Sequence, residues 1–429
     1  MGADAPFQHD PSWSVVSLAE IATKIGSGAT PSGGADAYLP SRDHFALVRS
    51  QNVFDRHFNR TGLAYITDEQ ADGLRGVVLQ PDDILLNITG DGITFGRACL
   101  APADVLPACV NQHVSIIRLD ARRADPAYVL AYLTHPEVKS YIESFNAGGS
   151  RRAITKGHIE SFRLPLPTID QQRRIGQILG ALDDKIELNR RMNETLEAIA
   201  RTLFKSWFVD FDPVRAKEEA RDPGLPKMIA DLFPDRLVDS DLGPIPEGWV
   251  AARWGDLITL EYGRGLRDYG NSTGRYPVFG TNGKIGTWDE ALCTHPGIVI
   301  GRKGAYRGVH FSPTPFYVID TAFYVEPLST ITLRWAYYEI LRRDLNAMDS
   351  GSAIPSTSRD EFYGVRVVTP PAAVQEAFTR LLAACWSRQD QMAEESRTLG
   401  AVRDGLLPRL VTGDLRVSHP ENVLGALPS

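Results

Sequence analysis

The chain has 429 residues, of which 43% are hydrophobic and 23% charged, and a formal net charge of −7. This length predicts two or three domains, because one core rarely serves more than about 250–300 residues. The composition excludes a disordered protein, and the acidic balance argues against a protein wholly coated by nucleic acid, although it leaves room for a local basic face.

Cysteine usage and hydrophobicity predict a cytoplasmic protein with no membrane partner. Cys99, Cys109, Cys293 and Cys385 form neither a CxxC pair nor a disulfide framework, which fits a reducing compartment. No apolar run reaches the length that spans a membrane. The first residues, MGADAPFQHDPSW, lack the basic start and apolar block of a secretory signal.

The first predicted element is a globular module over residues 1–168. Short β-branched runs, glycine turns and amphipathic stretches such as residues 126–145 alternate along it. In residues 83–97, DILLNITGDGITFGR, a short apolar strand runs into a glycine-rich turn. This mixture predicts an α+β fold with a twisted antiparallel or mixed sheet.

A long helix is predicted next, within residues 169–211. A helix from Asp170 to Phe208 would be roughly 58 Å long at about 1.5 Å per residue, and its apolar stripe needs a partner to be stable. The stripe has heptad spacing, interrupted by Lys185 at a d position and by Asn189 at an a position. These polar residues could set the register of a helix pair or dock another subunit, and the sequence leaves both interpretations open.

The rest of the chain repeats this layout. We predict a connector rich in proline and charge over residues 212–246, a second globular module over 247–371, a second long helix over 372–412 and a tail over 413–429. Shifting the first apolar stripe by 203 positions superimposes it on the second, as Ile175 and Phe378 illustrate. The predicted seam between the helices consists of Ile175, Ile178, Leu182, Asn189, Leu196, Leu203, Phe378, Leu381, Cys385, Met392, Leu399 and Leu406, and the stripes also include Met192, Ile199 and Val402.

The repeat extends outside the helices. PSWSVVSLAEIATKIGSG (11–28) corresponds to EGWVAARWGDLITLEYGRG (247–265), and VNQHVSIIRL (110–119) corresponds to VIDTAFYVEPL (318–328). We therefore expect two related modules and two helices that pair antiparallel, holding the modules at opposite ends. The alternative, two core helices in separate domains, leaves the shared heptad register unexplained.

Three groups of residues carry a resemblance to a known family. LPLPTIDQQRRIGQILGALDDKIELNRRMNETLEAIARTLFKSWFVDFDPVRAK, followed by DPGLPKMIADLFPDRLVDSDLGPIPEGW, resembles the central region of the specificity (S) subunits of type I restriction-modification systems. DILLNITGDGITFGRA and VNQHVSIIRL resemble their first target-recognition domain, and GIVIGRKGAYRG and VIDTAFYV resemble the second. The second module of this chain is shorter than the first.

The resemblance implies a non-catalytic DNA reader with two target-recognition domains, 1–168 and 247–371. Each domain of such a subunit reads one half of a bipartite asymmetric site in double-stranded DNA. The two helices form an antiparallel coiled coil that sets the unspecified spacer and docks two modification subunits, which bind S-adenosylmethionine and methylate adenine. Restriction subunits, which are motor-nucleases, use ATP and Mg²⁺. No cofactor is implied for this chain itself.

Sequence motifs of an enzyme on the same chain are missing. An adenine methyltransferase needs an Asn/Asp-Pro-Pro-aromatic motif, whereas Pro370-Pro371 is flanked by Thr369 and Ala372. The nearest approach to a phosphate-binding GxxxxGK[ST] loop is GTNGKIG (280–286), which lacks the final hydroxyl. An alternative remains a protein-binding helical scaffold whose modules do not read DNA.

Nuclease and metal chemistry are also disfavoured by spacing. Asp125, Glu137 and Lys139 resemble an acid followed by E-x-K, but they fall in or beside a helical pattern in which i and i+2 residues point to different sides. The histidines show no metal-ligand spacing with the cysteines, which predicts no metal site. These histidines are His44, His57, His113, His158, His295 and His310.

The candidate DNA contacts lie in glycine-rich turns. Cations suit phosphates, and guanidinium or amide groups suit base edges. In the first module the candidates are Arg49, Gln51, Asn52, Asn87, Thr89, Arg97, Gln112, Arg151, Arg152 and Lys156. In the second they are Arg264, Arg267, Arg275, Asn282, Lys284, Arg302, Lys303 and Arg307. Any one arginine could be an ordinary solvated residue, and Asn87 and Asn282 could cap turns instead.

Overall fold

The computed structural model describes residues 5–31, 33–90, 94–145, 152–270, 272–304, 306–348 and 356–416. The chain divides into two compact units. Unit 1 consists of Met1–Arg191 and Gln391–Ser429, and unit 2 consists of Met192–Asp390. In the part of the chain that is described, no helix combines the length and the apolar character needed to cross a membrane.

The first module contains short strands and short helices. Its strands are β1 (Ser14–Ser17), β2 (Ala22–Ser27), β3 (Phe45–Val48), β4 (Val53–Phe54), β5 (His57–Phe58), β6 (Ala64–Ile66), β7 (Ile84–Asn87), β8 (Thr89–Gly90), β9 (Ala98–Leu100), β10 (Ala108–Val110), β11 (Val114–Leu119), β12 (Arg152–Ala153) and β13 (Arg163–Leu166). Its α-helices are α1 (Leu18–Ile21), α2 (Asp68–Asp72), α3 (Pro126–Leu133), α4 (Pro136–Ser144) and α5 (Lys156–Glu160), and single 3₁₀ turns cover Gly34–Ala37, Ser50–Asn52, Arg75–Val77 and Ala103–Val105.

Two of the buried cores of the first module lie on opposite faces of its four-stranded sheet. The four-stranded sheet has the order β2–β11–β7–β9 with antiparallel neighbours, and the three-stranded sheet has the order β10–β3–β6 with β3 parallel to β10. Strand β7 is buried along its length because it separates the cores: Ile84 and Leu86 belong to one, and Leu85 belongs to the other. The antiparallel pair β1–β13 joins the two ends of the module.

A long helix and a folded connector follow. The helix is α6 (Ile169–Phe208), and the connector contains α7 (Asp212–Glu218), α8 (Lys227–Ala230) and the antiparallel pair β14 (Leu237–Val238) and β15 (Ile245–Pro246). Val214 and Phe233 of the connector are buried in the main core of unit 2. This segment therefore packs on the core, although its proline and charge content predicts only a connector.

The second module and the last helix complete the chain. The strands are β16 (Val250–Arg253), β17 (Ile258–Tyr262), β18 (Tyr276–Gly280), β19 (Gly283–Trp288), β20 (Gly297–Gly301), β21 (Val309–Ser312), β22 (Tyr317–Val318), β23 (Ala322–Pro327) and β24 (Arg366–Thr369). The helices are α9 (Trp254–Leu257), α10 (Leu333–Leu341), α11 (Arg359–Gly364) and α12 (Ala372–Thr412), and a 3₁₀ turn covers Leu345–Ala347.

The two modules share their topology. The order β17–β23–β20–β21, again antiparallel, matches that of the four-stranded sheet in the first module. In the three-stranded sheet β19–β18–β22, the central strand again has one parallel and one antiparallel neighbour. The antiparallel pair β16–β24 corresponds to β1–β13. The predicted α+β repeat is thus confirmed.

One glutamine at the start of each long helix makes equivalent contacts. The buried amide of Gln172 accepts a hydrogen bond from Asp125 N (2.9 Å) and donates to Pro167 O (2.9 Å). The amide of Gln375, 203 positions later, accepts from Thr332 N (2.8 Å) and donates to the carbonyl oxygen before its own helix (2.8 Å). Since Asp125 and Thr332 cap α3 and α10, each glutamine attaches a long helix to its module.

The long helices pair antiparallel within each unit. In unit 1, Asp183 of α6 accepts a hydrogen bond from Arg403 of α12 (2.9 Å). Eight residues earlier in α6, Ile175 shares a core with Leu410, which lies seven residues later in α12. In unit 2, Gln389 Nε2 donates to Asn193 O at 3.0 Å. The ring centroids of Phe204 and Phe378 lie 5.8 Å apart. The predicted antiparallel pairing is confirmed.

The seam departs from the heptad prediction in unit 2. Leu381 is 45% exposed and Leu382 is buried in its place, and the stripe residues Met192 and Ile199 are also exposed. Leu196, Leu203, Cys385 and Leu406 are half-buried, whereas Ile175, Ile178, Leu182, Asn189, Phe378, Met392 and Leu399 are buried.

The reason is a third packing partner that a two-helix pattern does not include. The indole of Trp386 stacks on Tyr338 of α10 at a centroid distance of 6.2 Å and donates a hydrogen bond to its hydroxyl (3.0 Å). Phe204 of α6 also packs on Tyr338 at 5.7 Å. Because the helices are buried against each other and against α10, their apolar face shifts away from the heptad positions.

Candidate nucleic-acid interface

Several loops of the first module meet at one end of its sheets. Gly28 N donates to Asn111 O (3.1 Å), Asn111 N donates to Val48 O (3.0 Å), and Ile154 N donates to Ile88 O (3.0 Å). We define this surface as loop end 1, which consists of residues 28–30, 49–52, 88–90, 94–97, 111–113 and 152–156. Most of the sequence-predicted DNA contacts of the first module lie on it.

Two predicted contacts, Asn52 in loop end 1 and Asn87 immediately before it, have fully buried side chains. Asn52 accepts a hydrogen bond from Arg49 N (3.0 Å) and donates to Asn59 O (2.9 Å). Asn87 donates from Nδ2 to Ser50 O (3.0 Å) and to Thr94 O (3.1 Å). Each amide replaces missing backbone partners in a turn, so both side chains support the loops.

The other polar residues of loop end 1 are arranged by their neighbours. Arg49 and Gln51 both donate to Gly62 O, at 2.5 and 3.1 Å. The guanidinium of Arg97 lies 4.3 Å from the ring centroid of Phe54.

Threonine hydroxyl groups contact two further side chains of loop end 1, those of His113 and Gln112. Thr89 Oγ1 lies 2.6 Å from His113 Nδ1, and Thr30 Oγ1 donates to Gln112 Oε1 at 2.5 Å. Gln112 remains exposed at the surface, whereas Thr89 is half-buried. A threonine–histidine pair is a contact that the sequence pattern did not identify.

The basic segment at the end of the first module is described only in part. Arg151 lies outside the described residues, and for Arg152 only the backbone is described, in β12, where it pairs with Gly90. Lys156 is exposed at the start of α5, and its ammonium lies 3.5 Å from Glu160 Oε1. An exposed ion pair of this kind is weak enough to exchange for a phosphate contact.

The second module has a corresponding loop end. Arg264 N donates to Val318 O, Arg302 N donates to Thr321 O, and Thr357 N donates to Arg302 O, each at 2.9 Å. We define this surface as loop end 2, which consists of residues 263–270, 281–284, 302–304, 319–321 and 356–359. The described residues of this surface include most of the cations predicted for the second module.

Exposed cations give loop end 2 and the adjoining strand a locally basic character. The side chains of Arg264, Arg267, Arg275 and Lys284 are exposed, and Asn282 is exposed in the turn between β18 and β19. Arg275 lies before β18, with its guanidinium 5.7 Å from the ring centroid of Tyr276. Exposed cations on one surface favour anion binding even when the net charge of the chain is negative.

An aromatic ring close to two guanidinium groups is the most distinctive feature at loop end 2. Arg302 and Arg359 approach the ring of Tyr262 at 4.7 and 4.5 Å from its centroid, and the ring is 44% exposed. These residues line a pocket of about 270 Å³ together with Phe323 and Thr357. Tyr262 and Arg359 were not among the predicted sites, although the tyrosine precedes the glycine and arginine run that was.

One cation of the GRKGAYRG segment serves the fold, and another is engaged in an ion pair at the surface. Arg307, a predicted DNA contact, is 5% exposed and donates to Leu345 O (3.0 Å) and Gly304 O (3.1 Å), so little of its side chain is open to a ligand. A buried guanidinium can satisfy several carbonyl oxygens at once, which explains why it closes this loop. Lys303 is half-buried, and its ammonium lies 3.6 Å from Asp320 Oδ2.

The three residues of the nuclease interpretation have structural positions or contacts in the first module. Asp125 caps α3 by accepting a hydrogen bond from Tyr128 N (3.0 Å), and burial raises the pKa of its carboxyl group. Lys139 is paired with Asp55 at 2.6 Å. Glu137 lies in the first turn of α4.

Polar residues cross the helix seam in unit 1. Asn189 is 1% exposed and donates from Nδ2 to Glu395 Oε2 (2.7 Å), Ser396 Oγ (3.3 Å) and Met392 O (3.5 Å). Lys185 reaches the other oxygen of Glu395 at 3.2 Å. We refer to Lys185, Asn189, Glu395 and Ser396 as the polar seam.

Comparison with known sequences finds proteins of one kind that this chain resembles. Residues 12–198 match the sequence model described as the type I restriction modification DNA specificity domain. The type I restriction enzyme HindI specificity subunit of Haemophilus influenzae is 24% identical over 440 residues, which covers 86% of this chain and 94% of that protein. The type I restriction enzyme MjaIX specificity subunit of Methanocaldococcus jannaschii is 23% identical over 432 residues, covering 95% of this chain and 94% of that protein.

A solved structure supports the same fold. The type I restriction-modification system S subunit from M. genitalium superimposes with a TM-score of 0.56, at 15% sequence identity, over 95% of this chain and 99% of that one. The resemblance to type I restriction-modification specificity subunits, predicted from the residues, is confirmed.

Proposed function

We propose that this chain, a relative of the specificity subunits of type I restriction-modification systems, reads a bipartite, asymmetric site in double-stranded DNA. Loop end 1 reads one half of the site, and loop end 2 reads the other half. The observation that carries this proposal is the repeat: two modules with the same strand order each gather cationic, amide and aromatic residues at one loop end. Two related readers that differ in their loops suit a site with two different halves.

Within each loop end, phosphate and base contacts fall to different residues. Arg264, Arg267, Lys156 and Lys284 are exposed cations and suit phosphates, which attract charge without sequence preference. Arg302 and Gln112 are held by neighbouring side chains and suit base edges, because a guanidinium or amide of fixed orientation can make paired hydrogen bonds.

The helix pair is proposed to set the spacer between the half-sites and to dock two modification subunits. Several apolar side chains of these helices are exposed, among them Leu188 (51%), Ile199 (48%) and Leu381. Exposed apolar groups on a helix are expected where a partner covers them. Since Asn189 is buried, its contribution to this scaffold is the register of the helices and not a contact with a partner.

The chemistry is assigned to the partners. In this proposal the modification subunits bind S-adenosylmethionine and methylate adenine, the restriction subunits use ATP and Mg²⁺, and this chain supplies recognition without a nucleotide or methyl-donor cofactor. The missing methyltransferase and phosphate-loop motifs support this division. The alternatives are an enzyme that acts alone and a helical scaffold that does not read DNA.

A titration with the assembled methyltransferase distinguishes these possibilities. We expect fluorescence anisotropy to show sequence-specific binding whose log affinity falls linearly with log salt, because neutralised phosphates release counterions. Binding that is indifferent to sequence and salt, with the modification subunits present, would contradict the proposal and favour the scaffold. Methylation or cleavage by the purified chain alone would favour the enzyme.

A further inference from the structure

Three side chains of the second module form a group that the DNA-reading function does not use. Cys293 and His295 lie in the segment between β19 and β20, and Glu326 lies near the end of β23. One potential ligand atom from each lies within 4.8 Å of the other two. The sequence predicted no metal site because Cys-x-His is a short spacing and no second pair of potential ligands accompanies it. Glu326 is distant in the sequence and comes close to the other two residues only in the folded sheet.

The distances between these atoms fit a tetrahedral ion. Cys293 Sγ lies 3.6 Å from His295 Nε2, and Nε2 lies 3.1 Å from Glu326 Oε2. Zinc with bonds of about 2.0–2.3 Å to sulfur, nitrogen and oxygen separates its tetrahedral ligands by about 3.3–3.6 Å. These two separations need shifts of only a few tenths of an ångström to hold such an ion, and the ligand atoms of Cys293 and Glu326 lie within 4.8 Å of each other.

A backbone carbonyl fixes which ring nitrogen of His295 is available to a metal ion. Its Nδ1 lies 2.8 Å from Pro296 O, and a carbonyl oxygen can only accept, so Nδ1 carries a hydrogen and donates. In the neutral ring this leaves the lone pair on Nε2, which lies 3.1 Å from Glu326 Oε2, while Cys293 Sγ lies 3.6 Å from Nε2 and 3.7 Å from Nδ1. Metal-bound histidines commonly donate their other N–H to a backbone carbonyl in this way, which fixes the tautomer and the ring orientation.

The backbone holds the sulfur in place. Cys293 is 2% exposed, and its N and O atoms both hydrogen-bond to Phe316, at 2.9 and 3.0 Å. The half-exposed His295 and Glu326 leave an open side, where water can complete the coordination.

From this geometry we propose that Cys293, His295 and Glu326 bind one Zn²⁺ ion. A thiolate, an imidazole and a carboxylate suit this borderline-soft cation, whereas Mg²⁺ and Ca²⁺ prefer oxygen ligands alone. The ion would attach the segment before β20 to the end of β23 and so brace the second module. It lies at the start of β20, whereas the DNA-reading candidate Arg302 follows the end of that strand.

The test uses the full-length chain, stripped with a chelator and titrated with Zn²⁺ against a chromophoric indicator. We expect one equivalent to bind, and we expect His295→Gln, Glu326→Gln and Cys293→Ser each to weaken binding at least about tenfold. Cys385→Ser, which changes a cysteine of α12 far along the chain, is the matched control and should bind as the original chain does. Co²⁺ in place of Zn²⁺ should give a thiolate charge-transfer band that Cys293→Ser abolishes.

The outcomes separate the zinc site from its simplest alternative, an ion pair between His295 and Glu326. Failure of the original chain to compete with the indicator, or binding that the three substitutions leave unchanged, would overturn the proposal. Circular dichroism checks that each variant is folded. If Cys293→Ser does not fold, the two half-exposed positions, His295 and Glu326, decide the result. The experiment needs neither DNA nor partner subunits, so its result is independent of the proposed function.

Discussion

Asn189 and Met392 occupy equivalent positions of the 203-residue repeat, and they touch: Asn189 Nδ2 lies 3.5 Å from Met392 O. In an antiparallel pair of repeat-related helices, a residue meets its own equivalent at only one level. Where Asn189 meets Met392 the two repeats differ in chemistry, since one position holds an amide and the other a thioether. The polar seam therefore marks a unique register, because sliding the helices would leave the buried amide opposite apolar groups.

The buried amide should contribute measurably to stability. Replacing Asn189 with alanine removes its hydrogen bonds to Glu395 and Ser396, and we expect the free energy of unfolding to fall by about 1–3 kcal/mol. Chemical denaturation of the full chain measures this. Ser387→Ala, at an exposed position of α12, is the control and should change little. Equal stability of the two variants would show that the polar seam does not fix the helix pair.

Loop end 2 should contain two kinds of DNA contact. Arg302→Ala removes a guanidinium held against Tyr262, and we expect a loss of about 1–3 kcal/mol for the specific site only. Lys284→Ala removes an exposed charge and should weaken binding to all duplexes, lowering the salt slope by about 1. Anisotropy titrations over a salt series measure both. Arg380→Ala, on the exposed side of α12, should leave binding unchanged, and identical behaviour of all three variants would contradict the assignment.

A close approach of two chain segments should make one glycine of loop end 2 irreplaceable. A Cβ on Gly263 would lie 2.1 Å from Ile319 O, whereas a Cβ on Gly265 would meet nothing within 4 Å. Gly263→Ala should therefore lower the free energy of unfolding by about 1–3 kcal/mol through overpacking. Gly265→Ala should leave it unchanged or raise it by up to about 1 kcal/mol. Thermal unfolding of both variants gives the comparison, and equal melting temperatures would refute the close approach.

The attachment of the first module to α6 should depend on acid pH, because Glu187 of α6 lies 2.9 Å from His57 and 3.2 Å from Arg60 of that module. Burial acts to raise the pKa of Glu187, but hydrogen bonds from Arg190 and Arg191 and the charge of His57 outweigh it and lower the pKa from 4.5 to about 2. Because the folded pKa is depressed, the carboxylate stabilises the fold above pH 4.5, and this contribution is lost as the pH falls towards 2.

We therefore expect Glu187→Gln to lower the melting temperature at pH 7 and to converge with the original chain between pH 4.5 and 2. Glu69→Gln, at an exposed position of α2, is the control and should follow the original chain at every pH. A difference for Glu187→Gln that is constant with pH would show that the substitution acts through packing instead of charge.

The sequence predicted the repeat well because a repeat is a property of pattern. The 203-residue shift that aligns the helices also aligns β13 with β24, and the equivalent glutamines Gln172 and Gln375 make equivalent contacts. Such features depend on which residues are buried, and the spacing of hydrophobic residues along the sequence indicates this. The seam in unit 2 was less predictable, since α10 packs against both helices and no pattern within a helix reveals a third partner.

The roles of polar loop residues could not be read from the sequence. Asn52, Asn87 and Arg307 have the residue types and the glycine-rich context of DNA contacts, yet all three satisfy backbone groups inside the fold. An amide or guanidinium group makes the same hydrogen bonds to a carbonyl oxygen as to a base. Only the direction in which the side chain points therefore decides whether it contacts DNA or the fold. The pairing of Tyr262 with Arg359 was missed because nearly a hundred residues separate them.

The central claim is that two modules read two half-sites at a distance set by the helices. Sequencing of adenine methylation in a host that carries the complete system tests it most directly, with the original chain and with four residues inserted at repeat-equivalent points of α6 and α12. We predict one bipartite, asymmetric motif, and an unspecified spacer that lengthens by about one or two base pairs, since four residues add about 6 Å and a base pair spans about 3.4 Å. A single uninterrupted motif, or a spacer that the insertions leave unchanged, would contradict the account.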